Sequence, residues 1–74
     1  MSFSEITIDE LNKSIADKKY LNGFYTVKFD DGVSYKGKLS NSSAHGYGIM
    51  YVDNNNGIIN DTDIIYDGIW IYGN

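Results

Sequence analysis

The chain has 74 residues, of which 42% are hydrophobic and 15% aromatic, and its net charge is −4. A chain this short holds one compact domain with a small core, so we expect residues 1–74 to form a single domain. It contains no cysteine and one histidine, which excludes disulfide bridges and leaves too few ligands for a zinc site. We therefore expect aromatic packing or self-association to stabilise the fold.

Charge and hydropathy restrict the partners of the chain. All six lysines lie within residues 1–38, whereas residues 39–74 carry four aspartates and neither lysine nor arginine. This acidic half repels phosphate groups and anionic lipids, so we expect no direct nucleic-acid or membrane partner. No basic segment with an apolar core opens the sequence, and no apolar run approaches the ~20 residues of a membrane span. These features predict a cytoplasmic protein.

Residues 1–22 have the pattern of an N-terminal helix cap. Thr7 and Glu10 have the spacing of a capping box, and Ile6 can pack on Leu11 as a hydrophobic staple. The signals predict that the helix begins directly after Thr7.

The apolar residues of this helix recur at helical spacing. Ile8, Leu11 and Ile15 form one stripe, which we expect to pack on a sheet. Lys18-Lys19 would complement the helix dipole in the last turn, and Asn22-Gly23 is expected to end the helix.

From residue 23 onward the apolar pattern changes to a period of two, which predicts an antiparallel sheet over residues 23–74. The fold class is therefore α+β, with a short helix packed on a small sheet of about four to five strands. In the second strand, Tyr35 and Leu39 are expected to be buried, and Ser34 and Lys36 to face water. The predicted strands are Phe24–Phe29, Val33–Leu39, Tyr47–Val52 and Ile64–Tyr72, separated by turns at Asp30–Gly32, Asn41–Gly46 and Asp53–Asp63.

Part of the sequence repeats itself. Tyr35-x-Gly37-x-Leu39 is matched by Tyr66-x-Gly68-x-Trp70, and His45-Gly46-x-Gly48 lies between them. The pattern resembles the MORN repeat, with one full and one partial repeat over about residues 30–74. The residues in register are Tyr35, Gly37, Leu39, His45, Gly46, Gly48 and Tyr51. Leu39 replaces the tryptophan usual in that family, and the loop Asp53–Asp63 is longer than the family pattern.

The repeated glycines have a physical explanation that does not depend on the family. Gly37 and Gly68 share a strand face with aromatic residues, and a residue without Cβ leaves room for a ring to lie on the backbone. Gly46 and Gly48 are expected to do the same on the opposing strand. We therefore predict that aromatic rings packed over glycines hold the sheet together.

The chain lacks the residue combinations of an enzyme. His45 is its one histidine, and it falls in a predicted turn at the structural position of the repeat. We therefore expect no catalytic residue, no metal and no cofactor. The segment Asp53–Gly57 suggests a calcium loop, but an EF-hand register from Asp53 places Ile64 at the acidic twelfth position. A looser calcium site, formed by Asp53 with Asp61 and Asp63, stays open.

The last third of the chain combines aromatic rings with acids. Such a short sheet cannot bury every ring, and exposed tyrosine and tryptophan often dominate protein interfaces. We therefore expect a non-enzymatic protein-interaction module that binds another protein or a second copy of itself. The alternative is a phage or mobile-element type inhibitor that blocks a basic nucleic-acid-binding surface of a host enzyme. The predicted binding residues are Tyr47, Tyr51, Asp61, Asp63, Tyr66, Asp67, Trp70 and Tyr72.

Overall fold

A computed structural model describes residues 3–55 and 58–72. It has one α-helix and a five-stranded mixed sheet with strand order β1-β2-β3-β4-β5. This confirms the predicted short helix on a small sheet. The elements are β1 (Ser4–Thr7), α1 (Ile8–Ala16), β2 (Gly23–Lys28), β3 (Val33–Ser40), β4 (Ser43–Val52) and β5 (Ile64–Trp70), with a short 3₁₀ turn at Asp61–Asp63.

The first strand is the part of the sheet that the sequence did not predict. β1 pairs with β2 in parallel, and α1 is the crossover between them, whereas the other three strand pairs are antiparallel. A parallel pair requires such a crossover connection. Within the described residues, no helix is long and apolar enough to cross a membrane.

The start of α1 is the predicted capping box. The Thr7 hydroxyl accepts a hydrogen bond from the Glu10 amide at 3.2 Å, and the Glu10 carboxylate accepts one from the Thr7 amide at 3.0 Å. Two backbone donors at the helix start are thereby satisfied.

The predicted end of the helix was wrong. α1 ends at Ala16, and Lys18 has a left-handed φ of +57°, so Lys18-Lys19 lie beyond the last turn and Asn22-Gly23 does not end the helix. The left-handed residue that follows many helices is usually glycine, and a lysine gives no sequence signal there. Leu11 is buried, but Ile15 is 44% exposed, so the apolar stripe is shorter than predicted.

The turn between β3 and β4 is shorter than the predicted segment Asn41–Gly46. β4 begins at Ser43, and the turn consists of Asn41 and Ser42, both with positive φ. Two such residues form the tight hairpin turn whose twist matches its strands. Ser42 is buried, and its hydroxyl accepts a hydrogen bond from the Leu21 amide at 2.8 Å, which fixes the turn against the end of the helix connection.

Strand pairing gives the sheet two faces that pack differently. The helix face is the side against which α1 packs, and the core lies there. The core consists of Leu11, Val27, Tyr35, Leu39 and Trp70. The open face is the opposite side, and one row across it contains Thr26, Lys36, Ile49 and Asp67.

Candidate interaction surface along the last strand

A row of glycines crosses the sheet at one level. Gly37 on β3 pairs with Gly48 on β4, and Gly48 pairs with Gly68 on β5. All three glycines therefore lie within strands, as the sequence predicted, and they share the helix face with the repeated tyrosines.

The ring of Tyr35 lies across the first two glycines of this row. A Cβ atom at Gly48 would be 2.5 Å from the Tyr35 ring, and one at Gly37 would be 2.7 Å from the Tyr35 hydroxyl. The hydroxyl donates a hydrogen bond to the Lys38 carbonyl at 2.7 Å. Burial raises the pKa of Tyr35 to about 12. The glycines are required because any side chain would occupy the space of the ring.

Tyr66 repeats this arrangement on β5. Its hydroxyl would be 3.0 Å from a Cβ atom at Gly68, and it donates a hydrogen bond to the Ile69 carbonyl at 2.8 Å. The hydrogen bond spans three residues in both tyrosines. Tyr66, however, is 44% exposed, whereas Tyr35 is 3% exposed.

Trp70 joins the two tyrosines. Its ring makes edge contacts with Tyr35 at 5.3 Å and with Tyr66 at 5.0 Å between ring centroids. The indole N–H donates to the Gly48 carbonyl at 3.0 Å. Edge-to-face contacts of this kind are favourable beyond the area that they bury. Trp70 is 8% exposed and belongs to the core, so little of this predicted binding residue is accessible to a partner.

Tyr51 is the second predicted binding residue that the structure buries. It lies on the open face, where it pairs with Ser34, and it is 7% exposed. Burial raises the pKa of Tyr51. Ser34 is also buried, contrary to the predicted wet face of β3. Asp53 and Asn55 of the loop after β4 lie beside Tyr51, and Asp53 accepts a hydrogen bond from Ser34, which strand periodicity does not indicate.

The open face of β5 carries apolar side chains on either side of one acid. Ile65 and Ile69 are more than half exposed, and Asp67 lies between them. The Tyr47 hydroxyl donates a hydrogen bond to Asp67, which raises the pKa of Tyr47. Tyr47 is itself 56% exposed, so these four residues form one acidic and apolar surface.

The remaining predicted binding residues flank β5. Tyr72 lies beyond the end of β5, which stops at Trp70 rather than at Tyr72 as predicted. Its ring is exposed and contacts His45 at 4.5 Å between centroids, while its amide donates to the His45 Nδ1 atom. Asp61 and Asp63 belong to the 3₁₀ turn directly before β5. Tyr47, Asp61, Asp63, Tyr66, Asp67 and Tyr72 are therefore the predicted residues that remain on or beside β5.

Asp53 forms an ion pair with Lys28 at the end of β4. It accepts hydrogen bonds from Lys28 at 2.6 Å and from the buried Ser34 hydroxyl at 2.9 Å. The Asn55 amide donates to it as well. These hydrogen bonds, that of Lys28 foremost, lower the pKa of Asp53 to about 2. The ion pair connects the end of β4 to β2 and β3, and it engages the carboxylate on which the calcium hypothesis depended.

Sequence reasoning missed an apolar groove on the open face. Phe3 and Phe24 contact each other edge to face, and Ile49 and Ile59 complete a groove of about 450 Å³. The Lys36 ammonium lies 4.9 Å from the Phe3 ring. Phe3 and Ile59 lie outside the predicted strands, so no periodic pattern placed them beside the sheet.

Residues 3–55 and 58–72 contain no group of three or more acidic, histidine or cysteine side chains that could hold a metal ion. No protein-family model matches the chain, and neither the curated proteins nor the solved structures include a match.

Proposed function

We propose that the chain is a non-enzymatic protein-interaction module, built on MORN-like hairpins, that binds its partner through β5 in the cytoplasm. The observation that carries the proposal is the position of β5. It is an edge strand of the sheet, and Ile65, Tyr66 and Ile69 are exposed on its two faces.

An exposed edge of this kind is unusual in a protein that does not use it. Unpaired backbone groups on a sheet edge are normally protected by lysine, proline or a covering segment, because they can pair with another chain. β5 has neither lysine nor proline, its one charged residue is Asp67, and the irregular pairing with β4 is confined to its first residues. Within the described part of the chain no strand pairs with its outer side. The other edge strand, β1, has four residues, whereas β5 has seven.

The charge around β5 supports a basic partner surface. Asp61, Asp63 and Asp67 lie on or directly before the strand, and residues 39–74 contain no lysine or arginine. Complementary charge increases association rates and selects between partners.

Charge reversal with a matched control tests this function. One variant has lysine in place of Asp61, Asp63 and Asp67. The control variant has lysine in place of Asp9, Asp17 and Asp30, and therefore the same net charge. Each is immobilised and exposed to an extract of the native host. We expect a partner that the unchanged chain and the control both retain and that the first variant loses. Equal retention by both variants contradicts the proposal.

The inhibitor of a nucleic-acid enzyme is the second candidate, and the one-sided charge favours it. An acidic surface without lysine or arginine can occupy a basic groove that normally holds phosphates. The same experiment separates the two candidates. A recovered nucleic-acid enzyme that the purified chain inhibits supports the second candidate, and recovery of proteins without such activity contradicts it.

A further inference from the structure

The two tyrosine-glycine units differ in whether another strand follows them in the sheet. Tyr35 on β3 covers Gly37 on its own strand and Gly48 on the strand beside it. Tyr66 covers Gly68 on its own strand with the same hydrogen bond to the carbonyl three residues later. β3 and β5 run in the same direction because each is antiparallel to β4. Tyr66 thus repeats the contacts of Tyr35 on a strand of the same direction, and the outer side of β5 corresponds to the side of β3 on which β4 lies.

This geometry imposes a steric rule on any strand that pairs with β5. At the equivalent place in the β3–β4 hairpin, a Cβ atom would be 2.5 Å from the Tyr35 ring. A strand added to β5 would bring its residue opposite Gly68 under the Tyr66 ring. We expect glycine there, because a larger side chain would have to displace the Tyr66 ring and break its hydrogen bond to the Ile69 carbonyl.

Charge imposes a second rule at the next position. In the β3–β4 hairpin, Ile49 follows Gly48 and pairs with Lys36. On β5, the residue equivalent to Lys36 is Asp67, one position before Gly68. The residue that follows the glycine of an incoming antiparallel strand would lie opposite Asp67. Opposite charges in such cross-strand pairs are favourable, and like charges are not.

We propose that β5 accepts an antiparallel strand of a partner protein with a glycine opposite Gly68 and a lysine or arginine opposite Asp67. This inference rests on the proposed function and names the chemistry of the partner. Main-chain hydrogen bonds along the edge supply affinity, and the Tyr66 ring and the Asp67 carboxylate supply specificity. A second copy of this chain is disfavoured as the occupant. Its β5 has the right glycine, but the residues that flank this glycine are Asp67 and Ile69, and neither is basic.

The probe is a synthetic peptide with the sequence of β4, residues 43–52, and with Ile49 changed to lysine. β4 is the strand that already fits a tyrosine-glycine unit, and the lysine places a positive charge opposite Asp67. Binding to the intact, isotope-labelled chain is measured by NMR titration. We expect chemical-shift changes centred on β5 and slower hydrogen exchange of its outward amides.

Two control peptides test the two rules separately. Gly48→Val in the peptide is expected to weaken binding at least ~10-fold, because the valine would collide with Tyr66. The unaltered β4 sequence, which has isoleucine opposite Asp67, is expected to bind about 2- to 5-fold more weakly. In the Tyr66→Ala chain the preference for glycine over valine should disappear, and in the Asp67→Lys chain the preference for lysine should reverse.

Three outcomes overturn the inference. They are equal binding of the glycine and valine peptides, shift changes that avoid β5, and light scattering that gives a dimer whose β5 amides are already protected. The proposed function fails by a different result, which is partner retention that does not depend on the acids around β5. A host partner lost on charge reversal, together with no glycine preference, overturns the strand rule alone.

Discussion

The β3–β4 hairpin and the β5 edge contain the same tyrosine-glycine unit in two different surroundings. Tyr35 has a following strand and is 3% exposed, whereas Tyr66 has none in the described part of the chain and is 44% exposed. Both hydroxyls donate to the carbonyl three residues later. One local motif therefore serves as core in one place and as surface in the other, and the neighbouring strand determines which.

The acids of the two regions differ in the same way. Asp53 closes the end of the β3–β4 hairpin, where it contacts Lys28 and the buried Ser34. Asp67 lies on the open face of β5, and its hydrogen bond comes from the exposed Tyr47. In the first region the Lys28 ammonium balances the charge of Asp53, whereas in the second the hydrogen bond to Asp67 comes from a neutral hydroxyl.

Adding a side chain to the glycine row is expected to give the largest difference between the regions. Gly48→Val places a Cβ atom 2.5 Å from the Tyr35 ring, which has no room to move. We expect a loss of about 3 kcal/mol in the free energy of unfolding, which is a large part of the stability of a domain of this size. Gly68→Val meets the exposed Tyr66 hydroxyl instead and should cost below about 1 kcal/mol. Urea unfolding followed by circular dichroism compares the two variants. Equal losses of stability would contradict the difference between the buried and the exposed tyrosine-glycine unit.

Removing the acids is expected to give an intermediate difference that depends on pH. Asp53→Asn should lower the free energy of unfolding by roughly 1–2 kcal/mol at pH 7, as for hydrogen bonds to a charged group. Asp67→Asn should lower it by about 0.5 kcal/mol or less.

The pH dependence has a defined sign. Because the pKa of Asp53 lies at about 2 in the folded chain and at its ordinary 3.8 when unfolded, its contribution is complete above pH 4. It is lost as the pH falls from about 4 to 2. Asp53→Asn should remove this part of the acid sensitivity, and Asp67→Asn should leave it in place. Thermal unfolding at pH 2 to 7 measures it, and an unchanged profile in Asp53→Asn would refute the role of the ion pair.

Removing one hydroxyl is expected to give the smallest difference. Tyr35→Phe loses the partly buried hydrogen bond to Lys38, at a cost of about 1 kcal/mol. Tyr66→Phe loses the exposed one to Ile69, which water replaces, so a few tenths of a kcal/mol are expected. Denaturant midpoints distinguish the two. A larger loss in Tyr66→Phe would mean that β5 is covered in solution.

Much of this fold could be predicted because several of its elements depend on residues that are close together in the sequence. The capping box of Thr7 and Glu10 needs four consecutive residues and is present as predicted. The position of Gly48 in a strand also followed from local spacing. The sequence did not indicate β1, since a four-residue strand depends on its pairing with β2. The end of α1 was missed because Lys18 adopts a conformation typical of glycine.

The candidate surface was predicted as a set of residues but not as an arrangement. Periodicity assigned rings to strands, yet it could not indicate that Tyr51 is buried on the open face or that Trp70 contacts both tyrosines. Both depend on contacts between residues far apart in the sequence. The sequence did not indicate that Ile65 and Ile69 are exposed, because isoleucine in a strand is usually buried.

NMR of the intact chain tests the packing of rings on glycines most directly. We expect strong nuclear Overhauser contacts between the Tyr35 ring protons and the Hα protons of Gly48, whose shifts should differ from random-coil values because of the ring. Tyr35→Leu should remove that displacement. Random-coil shifts at Gly48 and no contact with Tyr35 would contradict the account, because neither the buried unit nor the rule inferred for β5 would then exist.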